Sequence, residues 1–392
     1  MAVVKFYDIC SKIGSGATPR GGKEVYCDEG ISLIRSQNVL DYSFSIEGLV
    51  YINDVQADKL RNVIVEENDV LLNITGDSVA RVCVVDSSYL PARVNQHVCI
   101  IRANKKYVQG SYLLYFLQMN KQYLLQLAAG GATRNALTKD MIGNLELELP
   151  TLEQQKRAVS LLDDIQAKIK ENKKINDNLE QQAQAIFAKE LLSFDELPNN
   201  WTKGSLLDIA DFLNGLAMQK FRPKDNEIGL PVLKIKELRQ GVCDTNSESC
   251  SPNIKPDYII HDGDVIFSWS GSLLVDFWCG GICGLNQHLF KVSSQQYEKW
   301  FYYAWTNYHL QRFISIAADM ATTMGHIKRE ELAKSEVLIP PNEDYHRIGS
   351  MLSPIYELII ANRLENCKLA SMRDELLPKL MSGELDVSEV PL

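Results

Sequence analysis

The stretch TLEQQKRAVSLLDDIQAKIKENKKINDNLEQQAQAIFAKELL (residues 151–192) decides the fold class, because it carries a seam of apolar and asparagine residues at helical spacing. Members of this seam are separated alternately by four and three residues, the heptad spacing of helices that pack along their length. Two asparagines interrupt the apolar positions near the middle. A buried asparagine costs stability unless it finds a polar partner, and it can fix the register between two helices. The positions expected to pair are Ile165, Ile169, Asn172, Asn176 and Leu179.

The same seam returns 190 residues later with both asparagines in place. Its members are Ile355, Ile359, Asn362, Asn366 and Leu369, and Arg373 departs from the apolar pattern. Two helices with asparagines near their midpoints can pair them when the helices pack antiparallel. The repeated asparagines therefore favour a mutual antiparallel coiled coil over the alternative, in which each amphipathic helix packs only on its own domain.

Capping signals predict where these helices begin and end. Asp163 and Ser353 are typical N-cap residues, and Pro354 would occupy the first helical position, where its missing N–H costs nothing. Each seam is thus predicted to divide into a short helix and a long one, with Pro378 ending the second long helix. The first long helix would span about 28 residues, or roughly 42 Å at 1.5 Å per residue.

The remainder of the chain is also an internal repeat. VEENDVLLNITG (65–76) aligns with IHDGDVIFSWSG (260–271), and the tripeptide Asn-Gln-His occurs at 95–97 and at 286–288. Each copy has strand-like runs separated by turn residues, then a helix, a short strand ending in proline, and the seam. We predict an α+β fold with two pseudo-symmetric globular domains joined by two long antiparallel coiled-coil helices. The predicted segments are a first globular domain at 1–150, a central helix at 151–197, a second globular domain at 198–340, and a C-terminal helix and tail at 341–392.

The charge balance is mildly acidic, and it is uneven along the chain. The 392 residues carry a net charge of −9, but residues 1–150 and 198–340 are close to neutral, at −1 and −2. Proteins that bind nucleic acid without sequence preference usually have a basic balance, so that class is disfavoured. The chain shows no long apolar run and no signal-like start, and its nine cysteines follow no framework spacing, so we expect a cytoplasmic protein with free thiols. The irregular cluster of Cys279, Cys283 and His288 is disfavoured as a metal site.

Three segments, in this order, give the chain a specific resemblance. NDVLLNITGDSVARVCVV (68–85) lies inside the first globular domain, LELELPTLEQQKRAV (145–159) joins a strand to the first seam, and LLPKLMSGEL (376–385) follows the second seam. Together with the duplicated domain order, they make the chain resemble the specificity (S) subunits of type I restriction-modification systems over nearly all of its length. The second copy departs from the family pattern where Glu343-Asp344 replaces Glu153-Gln154.

This resemblance implies a subunit without chemistry of its own, in which each globular domain is a target recognition domain that reads one half of a bipartite asymmetric DNA site. The helices would fix the spacer between the half-sites and dock the methyltransferase subunits. The implied partners are double-stranded DNA, two methyltransferase (modification) subunits and, optionally, two restriction (motor/nuclease) subunits. S-adenosylmethionine, Mg2+ and ATP are expected on those partner subunits, and this chain is expected to bind no cofactor or metal.

The residues themselves also favour a non-catalytic subunit. The sequence contains no Asn-Pro-Pro-aromatic motif of adenine methylation. GATPRGGKE (16–24) has the wrong glycine spacing for a P-loop and no Ser or Thr after Lys23. The alternative is an acidic coiled-coil scaffold or DNA mimic with no specific DNA target, although a mimic should have strongly acidic globular domains.

Polar residues in loops beside strand ends are the candidates for DNA contact, because such side chains read base edges or hold phosphates. In the first domain these are Arg35, Ser36, Gln37, Asn38, Thr75, Arg81, Arg134 and Asn135. In the second they are Lys234, Lys236, Ser268, Trp269, Ser270 and Lys328. For each, the alternative is a solvated loop or a turn hydrogen bond. Because the Asn-Gln-His triplet is identical in both copies, we interpret it as a structural hydrogen-bond network, with sequence-independent phosphate contact as the alternative.

Overall fold

The computed structural model describes residues 2–19, 21–130, 135–319 and 326–385. The chain divides into two compact units, the first formed by Met1–Ala167 with Ala370–Leu392 and the second by Lys168–Leu369. Each unit combines one globular part with segments of both seam helices. None of the helices in the described ranges is long and apolar enough to cross a membrane.

Two sheets and a short strand pair make up the globular part of the first unit. Its strands are β1 (Ala2–Lys5), β2 (Cys10–Ser15), β3 (Tyr26–Cys27), β4 (Ile31–Ile34), β5 (Val50–Ile52), β6 (Ile64–Val65), β7 (Val70–Asn73), β8 (Val82–Val84), β9 (Ala92–Val94), β10 (Val98–Ala103) and β11 (Glu146–Leu149). Its helices are α1 (Phe6–Ile9), α2 (Asp54–Lys59), α3 (Gly110–Met119), α4 (Lys121–Ala129), α5 (Lys139–Gly143) and the start of the long helix α6 (Leu152–Phe187). One sheet is antiparallel, in the order β2-β10-β7-β8. The other has the order β3-β5-β4-β9-β6, with β4 and β9 parallel, and β1 pairs with β11.

Strand β7 is buried on both faces because two different layers cover it. Val70 and Leu72 belong to a core shared with α3, α4 and the seam helices, whereas Leu71 belongs to the core under the second sheet. Alternate side chains of a strand point to opposite faces, so a strand between two layers is apolar at successive positions. This layering accounts for the continuous apolar run that the sequence shows there.

The second unit repeats this arrangement. Its strands are β12 (Thr202–Ser205), β13 (Asp211–Asn214), β14 (Leu230–Leu233), β15 (Ser249–Cys250), β16 (Ile259–Ile260), β17 (Val265–Ser268), β18 (Leu274–Phe277), β19 (Cys283–Leu285), β20 (Leu289–Ser293) and β21 (Glu336–Ile339). A π-helical turn (Ala188–Leu192) follows α6, and the later helices are α7 (Leu206–Ile209), α8 (Ile235–Gln240), α9 (Lys299–Asp319), α10 (Arg329–Ala333) and α11 (Asn342–Ser382), whose last turns belong to the first unit. The sheets have the orders β13-β20-β17-β18 and β15-β14-β19-β16, with β14 and β19 parallel, and β12 pairs with β21. The predicted α+β class, with two copies of one fold and two long helices, is confirmed.

The predicted division of each seam into a short and a long helix is wrong. Helix α6 runs unbroken through Asp163, whose carboxylate accepts a hydrogen bond from the Tyr115 hydroxyl at 2.8 Å instead of capping a new helix. Helix α11 runs through both Pro354 and Pro378. A proline inside a helix costs about 3 kcal/mol, but both prolines are exposed, so water can solvate the carbonyl groups left without partners. Burial of Leu352 and Tyr356, on the face of the helix opposite Pro354, offsets this loss there.

Asparagine pairs set the register of α6 against α11 in the second unit. Asn172 Nδ2 donates to Asn366 Oδ1 at 3.0 Å, and Asn362 Nδ2 donates to Asn176 Oδ1 at 2.8 Å. Asn176 Nδ2 also donates to the Ile359 carbonyl at 3.2 Å. Residue numbers rise on one helix as they fall on the other, so the two helices are antiparallel. Asn172 is fully buried and Asn176 is 6% exposed, so these amides depend on partners within the protein, which for Asn172 include the Glu365 carboxylate at 2.6 Å.

Apolar seam residues continue along both helices. Ile165, Ile169 and Ile359 are buried, and Leu179, Ile355 and Leu369 are partly buried. In the first unit the exceptional Arg373 is also buried, with its guanidinium 3.8 Å from the centroid of the Tyr42 ring. It donates to Gln166 Oε1 at 3.0 Å and pairs with Asp374 at 2.7 Å. Stacking on an aromatic ring and a carboxylate partner explain how the seam accommodates this charge.

The Asn176→Ala substitution tests the asparagine pairs. It removes two hydrogen bonds and leaves the Asn362 amide without its acceptor, so we expect the free energy of unfolding to fall by about 1–3 kcal/mol. Urea unfolding followed by circular dichroism measures the change. Asn178→Ala is the matched control, because Asn178 is exposed on the same helix, and it should stay within about 0.5 kcal/mol of wild type. Equal losses in the two variants would contradict the role given to Asn176.

Candidate nucleic-acid interface

Parallel pairing of β4 with β9 brings two loops to one edge of the first unit. Both strands end at this edge, at Ile34 and Val94, because parallel strands run in the same direction. The Asn95 N–H donates to the Ile34 carbonyl at 3.0 Å and ties the two loops together. In the second unit β14 and β19 repeat the pairing, and the Asn286 N–H donates to the Leu233 carbonyl at 3.2 Å. The same edge is therefore present in both units.

In the first unit the Asn-Gln-His triplet forms the turn from β9 to β10, which connects the two sheets. Asn95 Oδ1 accepts a hydrogen bond from the His97 N–H at 3.0 Å, and His97 Nδ1 lies 2.5 Å from Thr75 Oγ1. Gln96 Nε2 lies 3.1 Å from His97 Nε2. Asn95 is buried, whereas Gln96 is exposed. The triplet thus joins the ends of β9 and β7 at one point.

The second unit makes the same bonds with its own triplet. Asn286 Oδ1 accepts from the His288 N–H at 3.3 Å, and His288 Nδ1 lies 3.1 Å from Ser270 Oγ. Gln287 Nε2 lies 3.3 Å from His288 Nε2. Serine takes the place of threonine without changing the pattern. The structural network predicted for the triplet is present in both units, so differences between the two edges must come from the flanking loops.

The loop after β4 presents charged and polar groups at the edge of the first unit. The Arg35 guanidinium bonds the Gly48 carbonyl, and within the described residues it has no carboxylate partner. Gln37 is exposed, and its amide donates to the Glu47 and Gly48 carbonyls at 3.2 and 3.3 Å. Ser36 lies between them and is half-buried. Because its hydrogen-bond partner is a neutral carbonyl, Arg35 keeps its positive charge uncompensated at this edge.

The expectation that Asn38 contacts DNA is corrected by its burial. Asn38 is fully buried, and its Oδ1 accepts from the Arg35 N–H at 3.0 Å. Its Nδ2 donates to the Ser45 and Glu47 carbonyls at 3.0 and 3.1 Å. The amide group is therefore engaged in shaping the loop that carries Arg35 and cannot also reach a base.

A second group of predicted residues surrounds Thr75. Thr75 forms an isolated β-bridge with Ala136, which brings the exposed Asn135 to the same place. Arg81 is half-buried before β8, and no ion pair forms on its guanidinium within the described part of the chain. Arg134 lies outside the described residues. Thr75 is engaged with the triplet, so Asn135 and Arg81 are the accessible members of this group.

Two of the three lysines predicted in the second unit, Lys234 and Lys236, are paired with carboxylates. Lys234 Nζ bonds the Glu248 carboxylate, and Lys236 Nζ lies 3.4 Å from Asp244 Oδ2. Arg222 lies 2.9 Å from the other oxygen of Glu248. The hydrogen bond from Lys234 holds the pKa of the Glu248 carboxyl below its usual range. Sequence reasoning missed Arg222 and Glu248, because in the sequence they resemble any charged residues of a solvated loop.

Both serines predicted in the second unit are buried. Ser268 is fully buried and donates to the Ser272 carbonyl at 2.9 Å, which corrects the expectation that it contacts DNA. Ser270 is 5% exposed and bonds His288 as part of the triplet network. A base contact by Ser270 would require breaking that network, so this expectation is corrected as well.

Trp269 and Lys328 lie together at the edge of the second unit. The Trp269 indole N–H donates to Asn214 Oδ1 at 3.0 Å, and the ring is partly exposed. The Ile327 N–H donates to the Trp269 carbonyl at 2.8 Å, which places the exposed Lys328 next to Trp269. At the corresponding place the first unit has Ile74, whose carbonyl accepts from the Leu137 N–H at 2.8 Å. The aromatic ring is therefore specific to the second unit.

No metal centre accompanies these edges in the residues that the structure describes. They contain no group of three or more His, Cys, Asp or Glu side chains arranged to hold a metal ion. Cys279 and Cys283, which the sequence places close together, pack in two different hydrophobic cores.

The family model described as "Type I restriction modification DNA specificity domain" matches residues 1–181 and again residues 198–369. The chain belongs to this family. Each matched segment of the specificity chain contains one Asn-Gln-His edge.

Relatives of this specificity chain include proteins of an archaeon and a bacterium. The type I restriction enzyme MjaIX specificity subunit of Methanocaldococcus jannaschii is 26% identical over 310 residues, which cover 72% of this chain and 71% of the relative. The EcoKI specificity subunit of Escherichia coli K12 is 22% identical over 395 residues, covering 91% and 83% of the two chains. The crystal structure of an S subunit from M. genitalium matches with a TM-score of 0.56 and 13% identity, and it covers 97% of this chain and 95% of that one. This last comparison supports the fold.

Adjacent residues of the loop after β4 separate a structural role from an exposed one. We expect Asn38→Ala to lower the free energy of unfolding by about 2–3 kcal/mol, because several buried hydrogen bonds are lost together. Gln37→Ala changes an exposed residue and should stay within about 0.5 kcal/mol of wild type. Urea unfolding of the full-length chain compares them. A larger loss for Gln37→Ala than for Asn38→Ala would show that the two roles are assigned the wrong way round.

Proposed function

We propose that the chain is the sequence-specific DNA recognition subunit of a type I restriction-modification complex and has no catalytic activity of its own. The duplicated edge carries this proposal. Each unit holds the same Asn-Gln-His framework, but the exposed side chains around it differ. A constant framework with different flanking groups suits a protein that holds two DNA half-sites in the same way and reads a different sequence in each.

The flanking groups are of the kinds that read base edges. In the first unit, the Arg35 guanidinium can make two hydrogen bonds to guanine, and the Gln37 amide can make two to adenine. In the second unit, Lys234 and Lys236 take the corresponding places, and the partly exposed Trp269 is an additional group at the edge. The two units would therefore read the two different halves of a bipartite, asymmetric site.

In this proposal the long helices set the number of unread base pairs between the half-sites. In the internal repeat, Asn172 corresponds to Asn362, and Asn176 corresponds to Asn366. The pair Asn172–Asn366 is therefore equivalent to the pair Asn362–Asn176, so the helices have local pseudo-two-fold symmetry. B-DNA has two-fold symmetry as well, and symmetric readers place one domain on each half-site.

The exposed faces of α6 and α11 are the proposed docking surface for two methyltransferase subunits. The methyltransferase subunits themselves would bind S-adenosylmethionine. Where two restriction subunits are also present, those subunits would bind Mg2+ and ATP. This assignment follows the family and the absence of methylation and nucleotide-binding motifs from the sequence. The proposed role of this chain is to choose where the partners act.

Exchange of the second globular part tests the two-reader proposal. Replacing residues 200–340 with the corresponding segment of another family member should change one half-site and leave the other as it was. Genome-wide mapping of methylated adenines, in cells that supply the methyltransferase subunits, reads out both half-sites at once. The reciprocal control, exchange of residues 1–150, should change only the other half. A single exchange that altered both half-sites would rule out independent readers.

Matched insertions in the two helices test the spacer. Seven helical residues add about 10.5 Å, which corresponds to about three base pairs at 3.4 Å per pair. Inserting one heptad after Ala167 and another before Ala370 preserves the pairing of Asn172 with Asn366, so we expect the same half-sites with a longer spacer. Methylation mapping again gives the result. An insertion in α6 alone is the control, and it should abolish methylation because the two helices then differ in length and cannot keep both the asparagine pairs and the Gln166–Arg373 contact in register. An unchanged spacer in the matched variant would refute the role of the helices.

A further inference from the structure

The Glu248 carboxylate lies between two cations at the edge of the second unit. One oxygen bonds Lys234 Nζ, and the other lies 2.9 Å from the Arg222 guanidinium. Arg222 also donates to the Ser249 carbonyl at 3.4 Å. The Glu248 side chain is 42% exposed, so this ion-paired group faces solvent. Two positive charges are thus held by a single negative one at the edge where DNA is proposed to bind.

Short strand pairing positions this carboxylate. Glu248 immediately precedes β15, and its carbonyl accepts from the Val232 N–H at 2.7 Å. Lys234 follows β14, which pairs with β15. The buried Glu237 links the segment before β15 to the residue after β14. Its carboxylate accepts a hydrogen bond from the Ser247 hydroxyl at 3.1 Å and another from the Lys234 N–H at 3.3 Å. Backbone pairing and the hydrogen bonds of the buried Glu237 therefore fix the positions of Lys234 and Glu248 relative to each other.

The cation at the corresponding position of the first unit, Arg35, has a different kind of partner. Arg35 occupies the position of Lys234, directly after the strand that pairs in parallel. Its partner is the Gly48 carbonyl, which bears no net charge, and within the described residues no carboxylate pairs with it. The first unit therefore has a half-buried cation without a carboxylate partner among the described residues, whereas the second unit compensates its cations with Glu248.

We propose that Glu248 is a specificity-determining residue of the second recognition domain, which holds Arg222 and Lys234 away from DNA that lacks the correct half-site. This inference rests on the proposed function. An exposed ion pair adds little net stability, so the base contacts that only a fitting DNA makes can offset the cost of separating Glu248 from its two cations. DNA that does not fit meets the carboxylate, which repels phosphates and keeps both cations occupied. Nonspecific binding depends on phosphate contacts, so withholding two cations weakens it selectively.

The Glu248→Gln variant of the full-length chain, assembled with its methyltransferase subunits, tests this role. Fluorescence anisotropy over a range of salt concentrations would measure binding to the cognate duplex and to duplexes with either half-site scrambled. For the duplex with a scrambled second half-site, we expect Kd to fall about tenfold and the slope of log K against log salt to steepen by about 1–2, as two cations become free to bind phosphates. Binding to the cognate duplex should change by less than about twofold, because DNA already engages both cations there.

Two further variants separate charge release from other effects. Glu336→Gln removes the same charge from an exposed pair with Lys203, at 3.0 Å in the two-stranded β12–β21 sheet, and should leave all Kd values unchanged. In an Arg222→Gln/Lys234→Gln background, Glu248→Gln should give a much smaller gain and no change in the salt slope, because only the direct repulsion of phosphates is removed and no cations remain to be released. An equal gain from Glu336→Gln, or an undiminished gain from Glu248→Gln in this background, overturns the proposal. A selective loss of cognate binding in Glu248→Gln overturns it too, since Glu248 would then read a base directly.

The same measurements distinguish this inference from the proposed function. If the wild-type complex does not prefer the cognate duplex over the scrambled ones, sequence-specific recognition itself fails. If the wild type shows that preference and Glu248→Gln keeps it unchanged, only the role of Glu248 fails. Circular dichroism and thermal unfolding should show that each variant is folded, as expected for changes at exposed side chains.

Discussion

Two hydrogen-bonded asparagine pairs, Asn172–Asn366 and Asn176–Asn362, constrain how the long helices pack in the second unit. Isoleucine and leucine side chains can pack against one another in several registers, because apolar contact is not directional. A buried amide tolerates only a register that supplies a polar partner, since an unpartnered amide loses the hydrogen bonds that water gave it. The asparagines therefore select one antiparallel register among those that the apolar seam allows. The rest of the helical scaffold depends on this choice, because the same register sets which residues of α6 and α11 lie opposite each other.

The two edges show how a duplicated fold can keep its geometry while its recognition chemistry differs. Parallel pairing of two strands brings their ends together, and the Asn-Gln-His turn bonds these ends to a hydroxyl after a third strand. All of these contacts lie within the framework and repeat in both units. Side chains outside the framework do not repeat. In the first unit the Arg35 guanidinium bonds the neutral Gly48 carbonyl, whereas in the second unit Lys234, at the corresponding position, bonds the Glu248 carboxylate. Geometry and specificity are thus carried by different residues.

Sequence patterns predicted the fold better than they predicted the site. The internal repeat and the seam are local or self-similar features, and each has a direct physical consequence in helix packing. The ends of the helices were predicted wrongly at Asp163, Pro354 and Pro378, because capping propensity is worth about 1 kcal/mol and packing of a long buried face outweighs it. Among the predicted contact residues, Asn38 and Gln37 are adjacent and chemically alike. Yet one amide is fully buried in loop contacts and the other faces solvent.

The sequence by itself therefore determined the duplication, the α+β class, the two long helices and the asparagines that pair them, because periodicity and repetition are visible along the chain. The tertiary structure decided which polar groups are available. Burial of Asn38, Ser268 and Ser270, and the meeting of Arg222 and Lys234 at Glu248, arise from residues distant in sequence that strand pairing brings together. Whether a polar side chain is exposed or engaged depends on those neighbours, and no local pattern encodes them.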